Sequence, residues 1–229
     1  LRLDDKDERI ITMCGMAGGF SALFGTPLSA AVFAMEVESI GVMYYAALVP
    51  CVLSALIANV ISGLFGVAST SFTLAVIPDL SAISLLQTIG LGIVFGALAS
   101  LFCRAMHVGG TLYKKIENPY LRIVVGGCIV VLLSLLTRSG EYNGAGMSVI
   151  SAALAGHAVP WAFALKIVFT VLTLGAGFKG GEIVPTFFVG ATFGCAFGGL
   201  LGLDPGFAAA LGLVAMFCSV VNCPLAALL

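Results

Sequence analysis

The sequence predicts an all-α, polytopic membrane protein whose helices are broken and tilted, and three observations carry that expectation. Hydrophobic residues make up 60% of the 229 and charged residues only 9%, giving a mean hydropathy of +1.16, whereas a soluble domain carries about 25% charged residues. So few charges cannot cover a water-facing surface, so lipid must cover most of this one. The charges are also clustered, and the gaps between clusters are long apolar runs. Glycine and proline then interrupt those runs again and again.

In chain order, residues 2–9 are almost all charged and residues 10–35 carry no charge. Glu36 and Glu38 follow, and residues 39–78 are again uncharged, enough for one crossing of about 20 residues and a turn. Asp79 precedes the uncharged run 80–103, after which Arg104, Lys114, Lys115 and Arg122 face only Glu117. Residues 123–137 are apolar up to Arg138 and Glu141, and residues 142–165, 183–203 and 206–229 are further apolar runs. Lipid offers no hydrogen-bond partners, so spanning segments are helices or closed barrels. Barrel strands alternate polar and apolar residues, which these runs do not. Residues 10–24 and 123–137, about 15 each, are read as too short to span. Breaks are expected at Gly25-Thr26-Pro27, at 156–160, at 175–185 and at Asp204-Pro205-Gly206. Helices that stop part-way through a membrane point to a midplane ion site.

Several function classes fall away. The net charge is -1, and no basic stretch interleaved with aromatics argues for nucleic acid. The seven cysteines are scattered without a CxxC pair and read as small packing residues. His107 and His157 have no ligand partner at metal-binding spacing, so neither a metal nor another cofactor is expected. There is no nucleophile–base pair or HExxH spacing, so no enzyme is expected. Tyr44, Tyr45 and Trp161 read as membrane-interface markers, and Lys166 and Lys179 as residues that snorkel or line an aqueous vestibule. The start, Leu-Arg-Leu-Asp-Asp, and the apolar end, Pro-Leu-Ala-Ala-Leu-Leu, give the expectation that residues 1–229 are one membrane domain cut at both ends.

Residues 15–30 read GMAGGFSALFGTPLSA and residues 212–227 read GLVAMFCSVVNCPLAA. Each proline, Pro27 and Pro224, lies 12 residues after the glycine that opens its segment. A duplicated half, often of inverted topology, explains such a repeat. The basic stretch from Arg104 to Arg122 is expected on the cytoplasmic side, where the Lys/Arg excess lies.

The segment Gly175-Ala-Gly-Phe-Lys-Gly-Gly-Glu-Ile-Val-Pro185 opens an apolar run. Its glycines allow a close backbone approach, and Pro185 suits a first helical turn. Free amides at a helix start attract an anion without a bare cation at the bilayer centre, which by translocon scales costs about 2.5–3.5 kcal/mol. Distributed dipoles also let the ion leave. Gly180, Gly181, Glu182, Ile183 and Val184 are therefore the candidate anion-binding residues, with Phe187, Phe188 and Lys179 as candidate pathway-lining residues.

The frame Gly181-Glu-Ile-Val-Pro185 resembles the GxFxP signature of the CLC family of anion channels and proton-coupled antiporters, with Ile183 in place of the phenylalanine. Gly25-Thr-Pro-Leu-Ser-Ala30 and Asn222-Cys-Pro-Leu-Ala-Ala227 are similar to the xPLxG/A helix starts of that family's two halves. The resemblance implies a CLC-type inverted repeat, a homodimer with one pathway per subunit, and passage of a small halide, fluoride or chloride, coupled to protons across a bacterial-type plasma membrane. It places the family's serine motif, gating glutamate and late tyrosine outside these residues. Chloride antiporters of the family carry a proton-relay glutamate ten positions after the proline of the first repeat. That position here is Val37. The fluoride-exporting branch also lacks that glutamate and places one after paired glycines, similar to Gly180-Gly181-Glu182. The same branch usually carries threonine where this chain has Val184. The alternatives left open are a chloride channel or antiporter of another CLC branch, and a non-transporting membrane scaffold.

Overall fold

The charged residues 5–9 are themselves helical. Asp4 accepts a hydrogen bond from Asp7 N at 2.8 Å and caps α1 (Asp5–Phe24), and Asp5, Asp7 and Glu8 lie in its first turn, where the helix dipole favours acids. In a computed structural model the described residues are 4–38, 43–67, 69–70, 72, 77–79 and 81–229. Part of the uncharged run 39–78 thus lies outside them. Two units are distinguished: Leu1–Phe72 with Val221–Leu229, and Thr73–Val220.

In the first unit, α1 ends at Gly25, whose left-handed φ of 69° turns the chain into α2 (Pro27–Glu38). A short 3₁₀ turn, Tyr45–Ala47, leads into α3 (Leu48–Leu64). Three serine hydroxyls join α1 to α3 through main-chain oxygens: Ser54 to Cys14 at 2.8 Å, Ser21 to Ala55 at 2.7 Å and Ser62 to Ala22 at 3.3 Å. Ser54 with Cys14 and Ser62 with Ala22 advance together along both helices, so the two run parallel. Hydroxyl bonds of this kind average about 0.6 kcal/mol each between membrane helices, so the three contribute about 2 kcal/mol. Met13, Ala17, Ala31, Ala34, Met35, Cys51 and Ala55 fill the core. Glu36 closes the unit: Oε1 accepts from Leu225 N at 3.1 Å and Oε2 from Ala226 N at 3.0 Å.

The second unit begins with α4 (Ala82–Lys114), whose 33 residues rise about 50 Å, more than the roughly 30 Å hydrocarbon layer. The helix α5 (Pro119–Thr137) starts at Asn118, whose side chain accepts from Tyr120 N and Leu121 N. It has 19 residues at a mean hydropathy of 2.2, which corrects the expectation that 123–137 is too short to span. The cap lies upstream of Arg122, so Tyr120, Leu121 and Arg122 belong to the first turn rather than to a loop. In the same way α1 reaches 20 residues because its charged start is helical.

Next come α6 (Met147–Leu154), α7 (Ala162–Gly175) and α8 (Ile183–Phe197), the last continued by a 3₁₀ turn, Gly198–Leu201. Two helices complete the chain, α9 (Pro205–Val221) and, in the first unit, α10 (Pro224–Leu228). Among the described residues four helices are long and apolar enough to cross a membrane, and α7 and α9 are shorter apolar helices. With 8 residues in α6 and 14 in α7, their rises of about 12 and 21 Å fall short of the bilayer core. Neither is long enough to cross by itself.

The helices α8 and α9 touch backbone to backbone. A Cβ on Gly190 would overlap the carbonyl of Gly212, and one on Gly194 the carbonyl of Ala208. Around that crossing the core gathers Leu91, Phe95, Phe102, Ile167, Val189 and Met216.

Both prolines of the sequence repeat begin helices, and each follows a left-handed residue two positions earlier: Gly25 at φ 69° and Asn222 at φ 60°. Gly25 and Asn222 are equivalent in the repeat, so the duplication extends to the backbone turn.

Candidate functional site

The segment between α7 and α8 is built by a helix stop and a helix start. Ala176 caps α7 through bonds to Leu172 O and Leu174 O. Gly177 then adopts φ +101°, open to glycine and rare for other residues. Phe178, Lys179, Gly180, Gly181 and Glu182 are exposed. The first helical bond of α8 runs from Thr186 N to Glu182 O at 3.0 Å, so the amides of Ile183 and Val184 precede the ladder, and Pro185 has none to offer. Glu182 occupies the cap position, but its carboxylate makes no capping bond. Thr186 is buried and spends its hydroxyl on Ile183 O.

The five candidate anion-binding residues, Gly180 to Val184, thus lie on one open loop and helix start. The three candidate lining residues separate. Lys179 is exposed on the loop. Phe187 meets Phe217 at a ring separation of 5.3 Å. Phe188 is buried, edge-on to Tyr142 at 6.2 Å, and its ring lies 2.7 Å from where a Cβ on Gly146 would stand. Two shallow hollows run along α5, one lined by Val131, Ser134, Arg138 and Asn143 and the other by Ile123, Gly127 and Cys128. Neither includes a residue of the α8 start.

Lys166 corrects an expectation. It does not snorkel or line a vestibule: it is 2% exposed. Its ammonium donates to Tyr142 O at 3.1 Å and Gly144 O at 2.6 Å and sits 4.9 Å from the centre of the Phe188 ring. A cation over an aromatic face is favourable, more so when desolvated. Lys166 thereby ties the 138–146 connection, α7 and α8 together. Its place inside an otherwise uncharged 14-residue apolar helix was the available signal. A second missed signal was Gly190, Gly194 and Gly198, spaced by four in the small-xxx-small pattern of close membrane-helix crossings.

The fold defines a polytopic α-helical membrane protein with interrupted helices. The family model described as voltage gated chloride channel matches residues 1–229. A chloride/fluoride channel protein of Pseudomonas syringae pv. tomato is 38% identical over 232 residues, covering 98% of this chain and 51% of that protein. The voltage-gated ClC-type chloride channel ClcB of Citrobacter koseri is 31% identical over 204 residues, 86% of this chain and 48% of that protein. A crystal structure of a CLC-type fluoride/proton antiporter superposes with a TM-score of 0.87 at 35% identity, covering 93% of this chain and 55% of that one. The chain belongs to the voltage-gated chloride channel, or CLC, family, and it spans about half the length of these relatives.

Proposed function

We propose that the full-length protein carries a small halide, fluoride in preference to chloride, across a bacterial-type plasma membrane in exchange for protons. It acts as a homodimer with one pathway per subunit, and residues 1–229 belong to one membrane domain. It is a transporter rather than an enzyme. The observation that carries this is the α8 start: the amides of Ile183 and Val184 stand ahead of the helical ladder beside a Glu182 carboxylate that caps nothing. Free amides at a positive dipole end favour an anion, and an uncommitted carboxyl can exchange a proton while the anion is bound. Protonated, it can also donate a hydrogen bond, which a strongly hydrated fluoride needs in place of water. Phe187 is proposed to flank this path and Lys179 to stand at its mouth, while Phe188 packs behind it against Tyr142. The names of the relatives, a chloride/fluoride channel protein and a fluoride/proton antiporter, support the same reading.

A second reading, a chloride channel or chloride/proton antiporter, is favoured by Val184, which offers no hydroxyl to fluoride, and by the similarity to ClcB. Efflux from liposomes containing the full-length protein, followed with fluoride and chloride electrodes, decides between them. Fluoride efflux faster than chloride efflux is expected; the reverse order selects the second reading.

A further inference from the structure

The last turn of α4 and the first turn of α5 are joined by residues 115–118 alone, and they set two polar side chains against the end of α7. Tyr113 is 8% exposed. Its ring lies 3.0 Å from where a Cβ on Gly175 would stand, and its hydroxyl 3.4 Å from the same point on Gly126. Arg122 comes from the other side, with Nη2 at 3.3 Å and Nε at 3.6 Å from the Cβ position of Gly177. Ala176, fully buried, fills the space a side chain at Gly126 would need.

Among the described residues the Tyr113 hydroxyl and the Arg122 Nε are the buried side-chain polar atoms without a hydrogen-bond partner. Buried groups of this kind are nearly always satisfied in native proteins, by protein, water or an ion. A guanidinium only donates, so the partner missing at Arg122 must accept, and the Tyr113 hydroxyl can donate to the same group. The positive charge on Arg122 favours an anion over water as that partner, because unlike charges attract strongly where water is excluded. No carboxylate neutralises it: the ion pair recorded among the described residues joins Arg9 to Glu38.

We propose that Tyr113 and Arg122 form a second binding site, for a small monovalent anion of the halide class, behind Gly177. It lies on the loop that runs on to Glu182, and rests on the reading of the α8 start as an anion site. Its role is to hold the ion next to the site at which transport is coupled.

Crystals of the full-length protein soaked in sodium bromide test this through the anomalous signal of bromine. A peak within hydrogen-bonding distance of both the Tyr113 hydroxyl and Arg122 Nε is expected. Ordered water there, or no density, overturns the site and leaves the proposed transport untouched. Liposome efflux measured against halide concentration is the second arm. Tyr113→Phe and Arg122→Gln should each raise the half-saturating concentration several-fold, and Arg122→Lys should restore part of the loss. A bromide peak with an unchanged concentration dependence in both variants means an adventitious ion only and overturns the proposal. Tyr113→Phe removes a single oxygen, so it decides even where Arg122→Gln does not fold. Wild-type protein that moves no halide overturns this site and the proposed function together.

Discussion

Lys166 holds its ammonium among main-chain oxygens inside an apolar helix, so removing it strands two carbonyls and an aromatic face at once. Bonds to charged groups are worth about 1.5–3 kcal/mol. Lys166→Met, similar in length and uncharged, should destabilise the full-length protein by about 3 kcal/mol, while Lys166→Arg should recover part of that. Thermal unfolding in detergent measures both. A Lys166→Met variant as stable as the parent would contradict the anchoring role. At Glu182 the expectation is different in kind. The side chain caps nothing, so Glu182→Gln should cost little stability while abolishing proton movement coupled to fluoride efflux. Unchanged coupled flux would reduce Glu182 to an acid placed near a helix start. The loop around Glu182 was legible because glycine and proline punctuate the backbone locally. The burial of Lys166 was not, since it depends on Tyr142 and Gly144, 24 and 22 residues earlier in the chain, and nothing local shows that they will be there.

At the scale of elements, the α8–α9 crossing leaves no room for a side chain. Gly194→Leu would push at least one methylene group into the main chain of Ala208. Ordinary overpacking costs about 1–3 kcal/mol, and the main chain relaxes less readily than side chains do. We expect Gly194→Leu to yield no folded protein by size-exclusion chromatography. Gly199→Ala should elute as the parent does, because a Cβ at Gly199 meets nothing within 4 Å. The breaks and the spans other than α5 could be read from apolar runs and from the Gly/Pro pairs between them. Helix starts could not always be: α5 begins at Pro119 because Asn118 supplies the cap, a side-chain preference that a charge count overlooks. The apolar run 10–24 likewise understates α1, which begins at Asp5 because acids suit a helix start.

For the whole molecule, the expectations concern direction. The stretch from Arg104 to Arg122, which runs from the end of α4 through the connection 115–118 into the first turn of α5, carries four basic residues against Glu117. Lys114→Cys, in a background without the exposed Cys103 and Cys128, should therefore react with an impermeant maleimide only after cells are opened. Labelling of intact cells would reverse the assigned orientation. The matched turns at Gly25 and Asn222 carry the second expectation. In a structure of the full-length protein, superposing 15–30 on 212–227 should bring the following helices together with opposite membrane direction. A parallel superposition would reduce the duplication to a local turn.

The bond between Glu36 and the amides of Leu225 and Ala226 spans 189 and 190 residues of sequence. A ribosome adds about 5–20 residues per second, so these amides are made roughly 10–40 s after Glu36 has left the peptidyl-transferase centre. Throughout that interval α2 waits in the nascent chain with a carboxylate whose partners do not yet exist. A polypeptide terminated before Leu225 would never supply them. Completion of the first unit is thus a late event in biogenesis, timed by the synthesis of the second repeat and open to recognition as unfinished until then.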